Sequence, residues 1–412
     1  MSQSEPEKCD YLIIGSGLMG SSVAMHLGEF LRAKGAKIVV CDADLEGKLS
    51  SSELNAGGAR ATWDQEINVA LSKASIEYFK ANAAEVGFRE VGYLWMFAPD
   101  KWEAAKARAA QLAKQGLGVE ALSVTELQGR APFIDKTAGL AGATFSPRDG
   151  LFNPNLLKNI FREGARVAGA EFRDGHRVYG VTKEAGGDFV VEFAVAPPAE
   201  DDLRGFLGDG AGAPRAFTEK RTIRARAIVN CAGAWASKLA SYIGYVSPVW
   251  AVRRQVSIFS CREVDLSGYG MMIDTSGVYF HPEADNILAG YADPLEKPGH
   301  NLNYDGLNFF EEKIWMPLFD RSSKFESLKH VTGWGGLYEM TPDSNAVIGG
   351  APGVPNVFEC HGFSGRGAMQ SYAAGLGLAE LIAFGQYQTL DLSALDGGRF
   401  QTGKLVPEGL HI

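Results

Sequence analysis

The sequence predicts an α/β chain, α+β overall, in which a parallel-sheet domain is interleaved with an antiparallel-sheet domain. Two observations carry the parallel sheet. A fully apolar run, Tyr11–Ile14, leads straight into the glycine loop Gly15–Gly20 and a helix-patterned stretch. A buried strand ending in a tight turn recurs at 227–233, and a strand entering a glycine-rich turn begins at Val357. The third observation is a series of alternating runs from Trp250 to Tyr291, the period-2 pattern of half-buried antiparallel strands. Strand, glycine loop, helix and second strand in that order make the parallel-sheet part Rossmann-type. Such segments stand at the beginning, middle and end of the chain, so the two domains are expected to be discontinuous. The first takes 8–90, 146–240 and 330–395, and the second 91–145 and 241–329.

The elements follow in order. Tyr11–Ile14 reads as a strand buried on both faces, and Ser21–Ala33 as a helix stopped by Gly35. Lys37–Cys41 is a second buried strand. Helical pattern runs from Trp63 to Ala84, a strand from Val91 to Phe97, and an Ala-rich amphipathic helix from Lys101 to Lys114. Ser123 and Glu126 have the spacing of a capping box. Asn153–Pro154 supplies a cap and a first-turn proline for a helix over Leu156–Ala168. Strands are expected at Arg177–Val181 and Phe189–Val195. The Pro/Gly/acidic stretch Pro197–Pro214 reads as a mobile surface insertion. Ala227–Asn230 is another buried strand, and Val357–Phe384 a strand, a glycine-rich turn and a helix. No internal repeat is present.

Composition narrows the function classes. A chain of 412 residues is long enough for about two domains, and 46% hydrophobic with 22% charged residues is ordinary for a chain with a sizeable core. Net charge is −9 with no basic stripe, which argues against a nucleic-acid partner. The five cysteines are dispersed, without a CxxC, so neither a metal site nor a disulfide framework is expected. The polar N-terminus resembles neither a secretory signal nor a transit peptide, and no apolar run reaches membrane-spanning length. A cytoplasmic location is the expectation.

The glycine loop points to a dinucleotide. Gly15 suits the tight turn, Gly17 lets backbone approach a pyrophosphate, and Gly20 lets helix and strand pack closely. Ser16, Leu18 and Met19 complete the loop. Asp42 closes the second strand, somewhat beyond the nominal spacing of about 20 residues, where a carboxylate accepts hydrogen bonds from ribose hydroxyls. These residues do not separate NAD from FAD. Residues 50–60, small and polar and ending in Arg60, suit a loop laid against a ligand. Residues 361–369 form a second glycine-rich helix N-terminus. One pyrophosphate needs one such terminus; a second is useful beside a ring that becomes anionic on reduction, as flavin does.

Five motifs taken together resemble the D-amino-acid oxidase/sarcosine oxidase superfamily of FAD-dependent oxidoreductases. They are the glycine loop, Asn55–Arg60, Ala232–Trp235, Gly336–Asp343 and Gly362–Gly365, in family order across nearly the whole chain. Residues 309–315 and 389–393 are similar to a subgroup that includes a respiratory complex I assembly factor. The resemblance implies FAD, contacted by Gly15, Ser16, Gly17, Leu18, Met19 and Gly20; by Asp42 and Ala43; and by Ser51, Asn55, Ala56, Gly57, Gly58 and Arg60. Further along it adds Val178, then Ala232, Gly233 and Trp235, then Gly335, Gly336 and Leu337. The last contacts are Gly362, Phe363, Ser364, Gly365, Arg366, Gly367, Ala368 and Met369.

The departures from the family matter too. Gly336 stands where sarcosine oxidases tether FAD through cysteine, which implies noncovalent FAD. Leu288 or Ala289 stands where they carry an oxygen-activating lysine. Their carboxylate-clamping arginine and lysine fall at Trp63 and Met369, which implies a more apolar pocket. Tyr338, Tyr279 and Arg60 are candidate substrate-facing residues, and His281 a candidate base.

The expected activity is oxidation of a C–N bond in a small amine or amino acid. Hydride passes to flavin N5, the imine product hydrolyses, and the acceptor is O2, a quinone or an electron-transfer protein. Dehydrogenase behaviour is favoured over oxidase. The alternatives are an assembly or interaction factor with structural FAD, and an NAD-dependent dehydrogenase.

Overall fold

The computed structural model describes residues 6–197, 199–208 and 219–410. Strand Glu7–Ile14 lies inside an eight-stranded sheet, between Glu219–Asn230 and Ile38–Cys41 and parallel to both. Glu171–Arg173 and Val357–His361 extend the parallel set, and Val347–Gly350 adds an antiparallel edge. Leu12 and Ile13 are fully buried because both faces of this strand are covered. Ile13 meets the helical layer, while Leu12 and Ile14 meet Phe189, Val191 and Leu239 on the other side. That opposite cover includes the ribbon His176–Lys183 and Phe189–Val195, which pairs antiparallel with the first half of Glu219–Asn230.

The helical layer is drawn from distant parts of the chain. Helix Leu18–Leu31 packs against Pro154–Val167 and Gly367–Phe384. Small residues let these axes approach. A Cβ on Gly375 would lie 2.1 Å from Ser22 Oγ and 2.5 Å from its Cβ. Asn153 caps its helix by accepting from the Asn155 and Leu156 amides, and Ser123 and Glu126 complete the capping box.

The second eight-stranded sheet runs Leu328–Met340, Trp250–Cys261, Asn286–Tyr291, Tyr279–Glu283, Met271–Ile273, Tyr93–Phe97, Gly142–Ser146 and Glu120–Leu122. It is antiparallel except where Met271–Ile273 runs parallel to Tyr93–Phe97. Residues 330–340 therefore lie in this sheet, although the sequence reading assigns them to the first domain. One face, with Phe259, Met272, Phe280 and Ala289, is covered by Phe309, Phe310, Ile314, Leu318 and Phe325. The other, with Tyr93, Val256, Met271, Tyr279 and Leu288, turns toward the site.

Three details differ from the sequence reading. The first helix begins at Leu18, so the glycine loop itself supplies its first turn. The 63–84 pattern resolves into Glu66–Ala81 and the short turn Ala83–Val86. Part of the insertion folds as helix Glu200–Leu207, because Leu203, Phe206 and Leu207 form one apolar stripe and Leu203 is completely buried. Residues 198 and 209–214 of that stretch lie outside the described residues. No described helix is long and apolar enough to cross a membrane.

Candidate functional site

Two cavities meet at the N-terminus of helix Leu18–Leu31, where Leu18, Met19, Ser51, Ser52 and Glu339 line both. Together they form a trough that suits a ligand with two halves. The helix start has no side-chain cap on Gly17, and its amides face the junction. The Leu18 amide donates to Ser52 Oγ at 3.0 Å. Gly15, at φ 101°, packs so closely that a Cβ would lie 2.2 Å from the Cys231 carbonyl oxygen. A Cβ on Gly20 would lie 1.8 Å from the Gly15 carbonyl oxygen, so strand and helix meet there backbone to backbone.

The cavity at the strand ends brings together the sequence candidates Gly15, Gly17, Asp42, Ala43, Val178, Ala232, Gly233 and Trp235 in its lining. Asp42 Oδ2 accepts from the Ser16 amide at 2.6 Å and its hydroxyl at 3.0 Å; Oδ1 accepts from the Asp44 amide at 3.1 Å. Burial raises the carboxyl pKa, opposed by these bonds and by the charge of Arg162. Arg162 in turn donates to the Ser16 carbonyl at 2.7 Å, locking the loop.

The cavity beneath the second sheet is lined by Asn55, Ala56, Gly58, Arg60, Tyr279, Gly336, Leu337, Tyr338 and residues 363–369. Six sequence candidates line neither cavity. Ser16 is turned to Asp42, and Gly20 to Gly15. Gly57 abuts the Phe152 carbonyl, Gly335 the Asn303 carbonyl, and Gly362 the side chains of Thr341, Val249 and Val347. His281 is buried behind the wall: its Nδ1 lies 2.9 Å from the Pro282 carbonyl, and burial pushes its pKa down to about 4. Neutral and outside the cavity, it is not placed as a base.

The expectation of an apolar pocket is corrected by three arginines, Arg60, Arg254 and Arg366. Arg60 and Arg366 are each 2% exposed and flank Trp63, with guanidinium carbons 3.6 and 5.1 Å from a ring centroid. Arg60 also donates to the Thr62 and Leu410 carbonyls at 2.8 and 2.9 Å. Burial pushes both pKa values down to about 10, so both remain charged at neutral pH. Arg366 donates through Nη2 to Asn345 and Ser344, while its buried Nε and Nη1 have no protein partner. Arg254 lies over the Tyr338 ring at 5.2 Å. Burial raises the pKa of Tyr93, Tyr279 and Tyr338, keeping all three phenols protonated.

Arg254, Tyr93 and Trp334 line the site without having been singled out in the sequence, and Ser52 and Glu339 enter it only as members of the 50–60 loop and the 336–343 motif. Arg254 had left a signal. It shares period-2 spacing with Val252, Val256 and Ile258, so it is a charge on the buried face of a strand. Tyr93 left none, because aromatics are common in buried strands.

The trough fits FAD: a glycine cradle at a helix N-terminus, a carboxylate ending the second strand, and unpaired buried donors on Arg366 at the far end. The sequence matches the family described as DAO, FAD dependent oxidoreductase, over residues 10–381. The chain belongs to that family. This FAD-dependent oxidoreductase is 31% identical to FAD-dependent oxidoreductase domain-containing protein 1 of Xenopus laevis, over 96% of this chain and 83% of that protein. Its fold is that of L-proline dehydrogenase from P. horikoshii, with TM-score 0.81 and 23% identity over 97% of this chain and all of that one. Glycine oxidase from Geobacillus kaustophilus superposes with TM-score 0.77 and 20% identity, covering 95% and 98% of the two chains. Proteins of this fold thus include an L-proline dehydrogenase and a glycine oxidase.

Proposed function

We propose that the chain is a dehydrogenase of small amino or imino acids, oxidising the C–N bond with FAD held noncovalently. The observation that carries this reading is the arginine- and tyrosine-lined cavity joined end to end with the glycine-cradled cavity. FAD, when bound, supplies the two-electron acceptor for hydride from the substrate α-carbon. Arg254 and the Tyr338 and Tyr279 hydroxyls hold the substrate carboxylate and fix the α-carbon's orientation. The charges of Arg60, Arg254 and Arg366 disfavour a further cation, so the substrate amine gives up its proton to solvent on entering. The neutral nitrogen can then stabilise the carbon that loses hydride. Trp63, Trp334 and Phe363 line the cavity with apolar surface and exclude water. Gly336 lies in the wall with ordinary space around it, a Cβ there meeting Leu54 at 3.5 Å, and it offers no thiol for a tether.

The test is anaerobic mixing with a panel of secondary and primary amino acids. Bleaching of the flavin absorbance by at least one, with formation of an imine or keto product, supports the reading. An assembly or interaction factor with structural FAD is the second reading, resting on the resemblance of the late segments. It gains if no amine reduces the flavin while the protein copurifies with a respiratory complex.

A further inference from the structure

We propose that helix Glu200–Leu207 is a clamp for the adenosine half of the dinucleotide, built from an insertion between two strands of the first sheet. The inference rests on the reading that FAD occupies the trough. The helix lies between strands Phe189–Val195 and Glu219–Asn230, which pair directly as an antiparallel ribbon and need no long connection. Its apolar stripe is not spent on that ribbon. Leu203, Phe206 and Leu207 instead line the cavity that also holds Asp42, Val178, Gly233 and Trp235.

The seating is specific. Leu203 is fully buried in a small cluster with Leu49, Ala234, Ala251, Leu302 and Leu337, of which Ala251 and Leu337 belong to the second sheet and Ala234 to the turn that follows strand Glu219–Asn230. The Leu207 carbonyl accepts from Trp235 Nε1 at 2.8 Å. Arg204 donates to the Leu302 carbonyl at 3.2 Å, tying the helix to the second lobe. Trp235 stacks on His300 with ring centroids 5.5 Å apart, continuing the same bridge. Phe206 keeps partial exposure and carries cations on its flanks, Arg177 at 5.5 Å and Lys238 at 5.1 Å. An aromatic ring with adjacent cations at the rim of a cleft is the chemistry that receives a purine base beside a phosphate.

The clamp touches only the half of the ligand that holds the adenosine. The far cavity, with Arg366 and Tyr338, shares no lining residue with the helix. Substitutions on the helix should therefore separate FAD from FMN, which has the same ring system without the adenosine.

The experiment measures binding of FAD, FMN and ADP to the deflavinated full chain, for the parent and for Phe206→Ala and Phe206→Leu. FAD and ADP should each weaken on the order of tenfold in Phe206→Ala, the loss of one base–aromatic contact. Phe206→Leu keeps the packing and loses the ring, so it should show the same direction with unchanged melting temperature of the apoprotein. FMN affinity and the reduction potential of the bound flavin should not move. Unchanged FAD and ADP affinity in both variants overturns the clamp, and so does an equal loss for FMN. A parent protein that binds none of the three overturns the FAD reading itself and is distinguishable from either result.

Discussion

Asp42 and Arg254 show how one side chain couples local structure to ligand binding. The Asp42 carboxylate uses three of its roughly four acceptor positions on Ser16 and Asp44, which leaves one for a ribose hydroxyl and fixes its direction. Asp42→Ala is expected to weaken FAD binding by roughly 10- to 100-fold, because a charge-assisted acceptor and the anchor of the glycine loop are lost together. Titration of the apoprotein with FAD checks this, and undiminished affinity would remove Asp42 from the ribose site. Arg254 reaches the cavity with an Nε that has no protein partner. Arg254→Met should cost about 2–5 kcal/mol in substrate binding, the range for truncating one partner of a desolvated charge pair. The flavin spectrum should stay unchanged, and amino-acid titration under anaerobic conditions reads out the loss.

Whole elements carry two further expectations. In strand Tyr279–Glu283, His281 is 2% exposed and its pKa falls from 6.5 to about 4 because burial disfavours the cation. Between those values the unfolded chain binds a proton that the folded chain does not, so this group makes stability rise with pH from 4 to 6.5. Asp149 acts oppositely. Its pKa is raised to about 6 by burial, which removes stability as pH rises through the same range. Replacing only the histidine isolates its share. His281→Gln should flatten the acid-side slope by on the order of 2–3 kcal/mol between the two ends, seen in urea melts at each pH. An unaltered slope would show that His281 is protonated in the fold. In the helix pair, Gly375 sits where a methyl group would strike Ser22 side chain and backbone. Gly375→Ala should destabilise by about 1–3 kcal/mol, despite the better helix propensity of alanine, because two axes must separate. A thermal melt decides, and a gain in stability would mean that the helices relax freely.

At the scale of the molecule, two sheets from interleaved segments bring a cofactor trough and an arginine-lined cavity together. Leu288 packs with Tyr93, Val256, Met271 and Tyr279 on the face of the second sheet that turns toward this cavity. A lysine there would stabilise the negative charge that develops when O2 takes an electron. Without it, the reduced protein should react slowly with oxygen and faster with a quinone or dye, unless Arg60 or Arg366 supplies the field. Stopped-flow mixing with air-saturated buffer measures the rate. Leu288→Lys should accelerate it; no acceleration would mean that oxygen approaches from elsewhere. Acid precipitation tests the tether at the same scale, since all yellow colour should leave with the supernatant.

What could be read from the sequence was local in origin. The glycine loop, its strand and helix, the Asn153 and Ser123 caps and the second glycine turn are short-range patterns. Each is fixed by backbone sterics and hydrogen bonding within a few residues. Their order sufficed for the fold class and the FAD family. The convergence of three arginines around Trp63 and Tyr338, the burial of His281 behind the cavity wall and the seating of Leu203 were decided only in three dimensions. Arg60, Arg254 and Arg366 come from a loop, a strand of the second sheet and a helix start, separated by more than a hundred residues at each step. A sequence pattern can say which face of an element is buried, but not which distant element that face will meet. Charge can stand in this interior because two sheets and a helical layer close around a ligand-sized trough. That closure belongs to tertiary packing, not to any segment alone.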